Sequence, residues 1–146
     1  GNGVFMNFLK NKGIDCVGLE LNRESVEECK AKGLAVKAEL LSEHKLNSKE
    51  KYDMVCSFQV LEHIPDVRGF ITDSLFALKK GGLLVFAVPN NEAFLVKKGS
   101  GIFNIPPHHM GLWDKNSLGS LTKFFDVKIK TVSPEPLPHY EIERYR

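Results

Sequence analysis

The sequence predicts a doubly wound α/β fold: a mostly parallel, Rossmann-like sheet with helices on both faces. Three observations carry that expectation. Gly1-Asn2-Gly3 opens the chain, and an acidic residue, Glu20, closes an apolar strand pattern nineteen positions after Gly1. Residues 52–58 and 83–88 are nearly continuous apolar runs, the kind buried on both faces of a parallel sheet. Helical patterns stand between these runs, as parallel strands require.

The first segment reads as the second half of a βαβ nucleotide-binding unit. Glycines let a backbone approach a ligand closely, and the helix over residues 4–9 aims its free N–H groups at it. A turn at Asn11-Lys12-Gly13 leads to a strand over 14–20. A carboxylate at its tip, about 20 residues after the glycines, suits both hydroxyls of a ribose, so an adenosine-type cofactor is expected. A βαβ unit also needs a strand before its glycine loop. None precedes Gly1, so the expectation is that the sequence begins partway through the natural domain.

Asn22 is placed to cap a helix over 24–32, with Val26, Cys29 and Ala31 as its apolar stripe, Glu28 and Lys32 as an i,i+4 pair, and Gly33 as its stop. A short strand follows over 35–39, then a polar loop with a helical turn over 42–51. Asp66 caps the clearest helix, in which Val67, Phe70, Ile71, Ser74, Leu75 and Leu78 recur at helical spacing up to Gly81-Gly82. An insertion spans 92–113 within a single domain of residues 1–146. Asp114 caps a helix reaching Phe125, and 126–132 alternates like a half-exposed strand. In such sheets ligands bind beyond the carboxyl ends of the strands. That rule selects Gly1 to Gly3, Glu20, Glu39, Leu40, residues 57–63 and residues 88–91.

Composition narrows the function. A formal net charge of +2 offers no electrostatic case for nucleic acid or an anionic membrane. Cys16, Cys29 and Cys56 form no Cys-x-x-Cys pair and read as reduced packing residues. With no signal peptide and no apolar run of spanning length in the sequence, the expected compartment is the cytoplasm.

The cofactor class follows from further strings. A dinucleotide dehydrogenase would place a small residue where Met6 stands. Taken instead as the last two glycines of a G-x-G-x-G loop, Gly1 and Gly3 resemble the loop of class I S-adenosylmethionine-dependent methyltransferases. The run from Tyr52 through Val60-Leu61-Glu62-His63-Ile64 resembles that family's fourth strand and its V-L-E-H string. Leu78-Lys79-Lys80-Gly81-Gly82-Leu83-Leu84 is similar to its L-K-P-G-G-x-L string, with Lys80 in place of proline. Pro106-Pro107-His108-His109, followed by Trp113, resembles the P-P-H-H-x-x-x-W string of a subgroup related to ubiquinone-biosynthesis O-methyltransferases.

The resemblance implies S-adenosylmethionine as cofactor and a small-molecule methyl acceptor with an oxygen or carbon nucleophile. It places Gly1 and Gly3 under the methionine portion, Glu20 on the ribose, Glu39 or Leu40 beside the adenine, and Ser57, Phe58 and Gln59 around the sulfonium. His108 or His109 is the first candidate for a general base and His63 the second, since long insertions often cover active sites. His63 also reads as a corner residue that ties down loop backbone, and Trp113 as a hydrophobic anchor. Phe94, Phe103 and Ile105 suit either a substrate pocket or packing of the insertion. No metal is expected, because adjacent histidines do not easily share an ion and no third ligand stands at a telling spacing. Two rival functions remain at this point: a catalytically silent methyltransferase-like binding module, and a nucleotide-linked oxidoreductase. Acceptor identity and oligomeric state are not encoded in any motif.

Overall fold

Each element begins where a local signal starts it. In the computed structural model, which describes residues 1–92 and 104–135, Gly3 takes the left-handed conformation (φ +78°) and opens α1 (Val4–Asn11). β1 (Gly18–Leu19) follows, then α2 (Arg23–Ala31), whose first free N–H groups include that of Ser25, donated to Asn22 Oδ1 at 3.0 Å. Gly33, also left-handed, stops α2 by donating its N–H to the Lys30 carbonyl. β2 (Val36–Lys37) pairs parallel with β1, Gly18 opposite Val36 and Leu19 opposite Lys37.

The chain forms two compact units, Gly1–Cys56 with Asp66–Val85, and Ser57–Pro65 with Phe86–Arg146. In the first unit Val26, Cys29, Leu34 and Val36 make a buried cluster, against which Met6 packs. Burying side chains of this size is worth roughly 1.5–3 kcal/mol each. Two glycines permit the close fit. A Cβ on Gly3 would stand 2.6 Å from Leu34 Cδ1 and 2.8 Å from Cys29 Sγ, and one on Gly18 would stand 2.5 Å from Met6 Sδ. The bulk of Met6 is therefore accommodated by the bare backbone of β1.

α3 (Leu41–His44) and a 3₁₀ turn over Lys45–Asn47 pack on α4 (Val67–Ala77), with Lys45 paired to Asp73. Asp66 caps α4 through the Gly69 N–H at 2.9 Å. β3 (Tyr52–Phe58) pairs with β4 (Leu78–Ala87). Lys51 N–H meets the Ala77 carbonyl and Asp53 meets Lys79, so partners advance together and the pair is parallel.

In the second unit a 3₁₀ turn over Leu61–His63 follows the tip of β3, and Leu61 is fully buried. Asn91 N–H and Nδ2 both donate to the Trp113 carbonyl, and the Trp113 side chain is buried, as expected of an anchor. Asp114 caps α5 (Lys115–Ser120) in a reciprocal box with Ser117, and a 3₁₀ turn over Leu121–Lys123 ends it.

Several expectations are corrected. The first strand shrinks from 14–20 to two residues, because β2 offers only two partners. Ala31 is exposed, and Lys32 donates to the Asn2 carbonyl while the ion pair on α2 is Glu27 with Lys30. α4 ends at Ala77 and runs directly into β4, with Gly81 left-handed inside that strand and not at the helix end. β3 is only partly covered, with Met54 and Phe58 exposed. Residues 126–132 form no strand, and among the described residues no further strand stands ready to pair with them. Phe94, Phe103 and the C-terminal residues 136–146 lie outside the described residues.

Candidate functional site

The glycine turn and the end of β1 meet. The Gly1 amino group pairs with Glu20 Oε2, while Glu20 Oε1 accepts the N–H groups of Leu21 at 2.8 Å and Asn22 at 2.9 Å. That amino group first, and the Asn22 N–H next, hold the Glu20 carboxyl below the ordinary glutamate value. Three donors fall short of a carboxylate's roughly four lone-pair sites, so acceptor capacity remains. A Cβ on Gly1 would meet nothing within 4 Å, so packing does not explain glycine there, whereas Gly3 is required by the core.

At the end of β2, Glu39 Oε1 stands 2.5 Å from His44 Nδ1 and 3.3 Å from Lys37 Nζ. The His44 contact is the main cause that lowers the Glu39 pKa. His44 is buried and its Nε2 lies 2.7 Å from the Tyr52 hydroxyl. Leu40 is exposed, and its N–H donates to Glu43 Oε2. Glu39 thus fixes a loop through a histidine that the sequence reading left in a polar stretch.

In the second unit, Ser57 Oγ is buried with no hydrogen-bond partner among the described residues. Phe58 is exposed, and Gln59 adopts the left-handed conformation (φ 54°) while its N–H donates to the Ala87 carbonyl. A left-handed glutamine at a strand tip is uncommon, and such strain gathers at functional turns. Nothing in the residue type announces it.

The three candidate bases gather in this unit. His63 Nδ1 donates to the His108 carbonyl at 2.6 Å, and the His63 and His109 rings meet edge to face with centroids 4.9 Å apart. Glu62 holds the returning segment, its carbonyl accepting from Met110 N–H at 2.7 Å and Gly111 N–H at 3.1 Å. An open cleft of about 460 Å³ is lined by His63, Pro107 and His108. Ile105 is exposed. His63 bonds loop backbone, as the corner reading expected, and it also lines the cleft.

The three cysteines are free thiols; Cys29 is buried, while Cys16 and Cys56 are half-buried. Burial first, and the neighbouring Cys16 second, push the Cys56 thiol up, which makes it a poor nucleophile. Among the described residues no helix is long and apolar enough to cross a membrane.

Comparison with known proteins follows the same lines. The ubiquinone biosynthesis O-methyltransferase of Pelagibacter ubique is 27% identical over 94 residues, which is 62% of this chain and 39% of that protein. Its namesake in Paramagnetospirillum magneticum is 28% identical over 97 residues, 64% of this chain and 39% of that protein. The chain spans about two fifths of the length of these curated relatives. A crystal structure described as a SAM dependent methyltransferase from Archaeoglobus fulgidus superposes with a TM-score of 0.72 at 19% identity, covering 99% of this chain and 72% of that one. The α/β, Rossmann-like class expected from the sequence is thereby borne out. The family profile described as "Methyltransferase domain" matches residues 1–127, and the chain belongs to that family.

Proposed function

We propose that this chain binds S-adenosylmethionine and directs its methyl group to a small-molecule acceptor in the cytoplasm. The observation that carries the reading is Glu20 directly after β1, beside the glycine turn that opens α1 and within the segment matched by the family profile. Gly1 and Gly3 hold the methionine portion, Glu20 takes the ribose hydroxyls, and Glu39 or Leu40 borders the adenine. Ser57, Phe58 and Gln59 flank the sulfonium; the Ser57 Oγ, without a hydrogen-bond partner among the described residues, fits a ligand that supplies a polar group. Once bound, the cofactor supplies a methyl group already activated by the sulfonium charge. The protein's share is to orient the acceptor and exclude water, which can supply several kcal/mol of the barrier.

In this reading the cleft lined by His63, Pro107 and His108 takes the acceptor, and His108 accepts its hydroxyl proton. The curated relatives carry an O-methyltransferase name, so a hydroxylated aromatic is the first acceptor class to assay. Calorimetric titration with S-adenosylhomocysteine tests the cofactor reading. Binding in the micromolar range should weaken about 10- to 100-fold in Glu20→Ala, the loss expected for hydrogen bonds to a charged group. A folded chain that binds none of the ligand sinks active methyl transfer for this chain and favours a silent module.

A further inference from the structure

We propose that Asn104, backed by Asn91, is a positioning residue that holds His109 in one tautomer and makes its Nε2 a standing proton acceptor beside the cleft. An imidazole has two nitrogens, and the hydrogen bond made by one decides where the proton of the neutral ring sits. Around His109 that bond is the last link in a chain of amides.

The chain is anchored where only one orientation is possible. Asn91 sets one side-chain atom 3.0 Å from the Trp113 carbonyl and 3.3 Å from the Pro89 carbonyl. Carbonyls can only accept, so that atom is Nδ2 and both of its protons are spent. Asn91 Oδ1 therefore faces Asn104, whose Nδ2 donates to it at 2.8 Å. This turns the Asn104 amide as well, because the reverse orientation would set oxygen against oxygen. Asn104 Oδ1 stands 2.8 Å from His109 Nδ1 and has to accept, so Nδ1 carries the proton of the neutral ring. His109 Nε2 keeps its lone pair and makes no hydrogen bond among the described residues.

The backbone holds both ends of the chain. Asn91 N–H also donates to the Trp113 carbonyl at 2.9 Å, and His109 N–H donates to the Ile105 carbonyl at 3.3 Å. Neither amide can turn over without breaking its neighbour's bond, so the tautomer is set before any ligand arrives.

The lone pair has a place to act. The His109 ring meets that of His63 edge to face, and His63 lines the cleft with Pro107 and His108. The titratable groups facing His109 are His63 and Glu62. When a hydroxyl at the cleft gives up its proton to Nε2, the O–H bond breaks and an imidazolium forms beside an oxyanion. The Nδ1–H bond to Asn104 then becomes charge-assisted, roughly twice as strong as a neutral one, so Asn104 favours the protonated ring as well as aiming it. Use of Nε2 on an acceptor hydroxyl, as a second base behind His108, rests on the methyl-transfer reading; the tautomer does not.

Long-range proton–nitrogen NMR spectra of the full chain, taken at mildly alkaline pH, read the tautomer directly, because protonated and bare imidazole nitrogens resonate far apart. The expected pattern for His109 is a proton on Nδ1 and a bare Nε2. Asn104→Leu removes the acceptor and should return the proton mainly to Nε2, whereas Asn104→Asp keeps an acceptor and should restore the parent pattern. Circular dichroism checks folding, and Asn91→Ala, one link further from the ring, serves if Asn104→Leu does not fold. 4-Nitrophenol, yellow only as its anion, tests the base. The parent should bind the anion saturably, and Asn104→Leu should bind it about 3- to 10-fold more weakly, the worth of one hydrogen bond. A proton on Nε2 in the parent, a tautomer unchanged in the folded amide variants, no anion bound by the parent, or equal binding by Asn104→Leu overturns the proposal. No cofactor is present in these mixtures, so the outcome is decided separately from binding of S-adenosylhomocysteine.

Discussion

The carboxylates of Glu39 and Glu62 sit in opposite circumstances. Glu39 is partnered by His44 and Lys37, and His44 passes its other nitrogen on to Tyr52. Glu62 is buried more deeply, yet one oxygen has no partner among the described residues, and the nearby His63 and His109 spend their Nδ1 atoms on the His108 carbonyl and on Asn104. The first cluster closes on itself and holds loop to strand. The second has geometry without closure, which is how a polar cluster looks when its last partner is a ligand. Polar residues in the two places do different work: one set builds the frame, the other waits on chemistry.

The largest expected effect bears on the frame. Gly3→Ala forces a left-handed alanine and drives its Cβ into Leu34 and Cys29, so urea denaturation should show a loss on the order of 3 kcal/mol. A loss under about 1 kcal/mol would mean that the apolar cluster of Val26, Cys29, Leu34 and Val36 repacks easily and is not a rigid frame. Next, Glu62→Met replaces the orphaned carboxylate by an apolar side chain of similar length. It should raise stability by about 1–2 kcal/mol in urea denaturation. Destabilisation would show that Glu62 is a framing residue like Glu39, and the contrast would collapse.

The smallest effect is in acid. Glu39 is held below its ordinary value chiefly by His44, so its stabilising contribution is present above 4.5 and fades as pH falls through the folded value. Midpoints of urea unfolding between neutral and acid pH should therefore decline less steeply in Glu39→Gln than in the parent. An identical decline would remove Glu39 from the frame.

How much of this the sequence could tell depends on whether a feature is local. Tyr52–Phe58 emerged at its true bounds because an apolar run states its own length. The caps at Asn22, Asp66 and Asp114 were readable because a cap is a contact three residues away. Gly81 misled, since a left-handed glycine ends a helix in one setting and bends a strand in another. The alternation over 126–132 could not reveal whether a neighbouring strand exists to pair with it. The burial of His44 and Glu62 was not legible for a related reason: His44 sits in a polar stretch, Glu62 in a string recognised only by resemblance, and nothing local in either shows that the side chain is covered. The likeness to a methyltransferase was legible throughout, because ordered strings survive where individual contacts do not.

The carbonyl of Glu62 has one more consequence. It accepts the amide protons of Met110 and Gly111, while Trp113 accepts that of Asn91 and His108 accepts from His63. The first and last of these tethers join the turn at 61–63 to residues 108–111, and the Asn91 bond holds residue 113. A segment tied in this way is expected to open as one cooperative piece, with the amide protons of Met110 and Gly111 exchanging with solvent at a common rate.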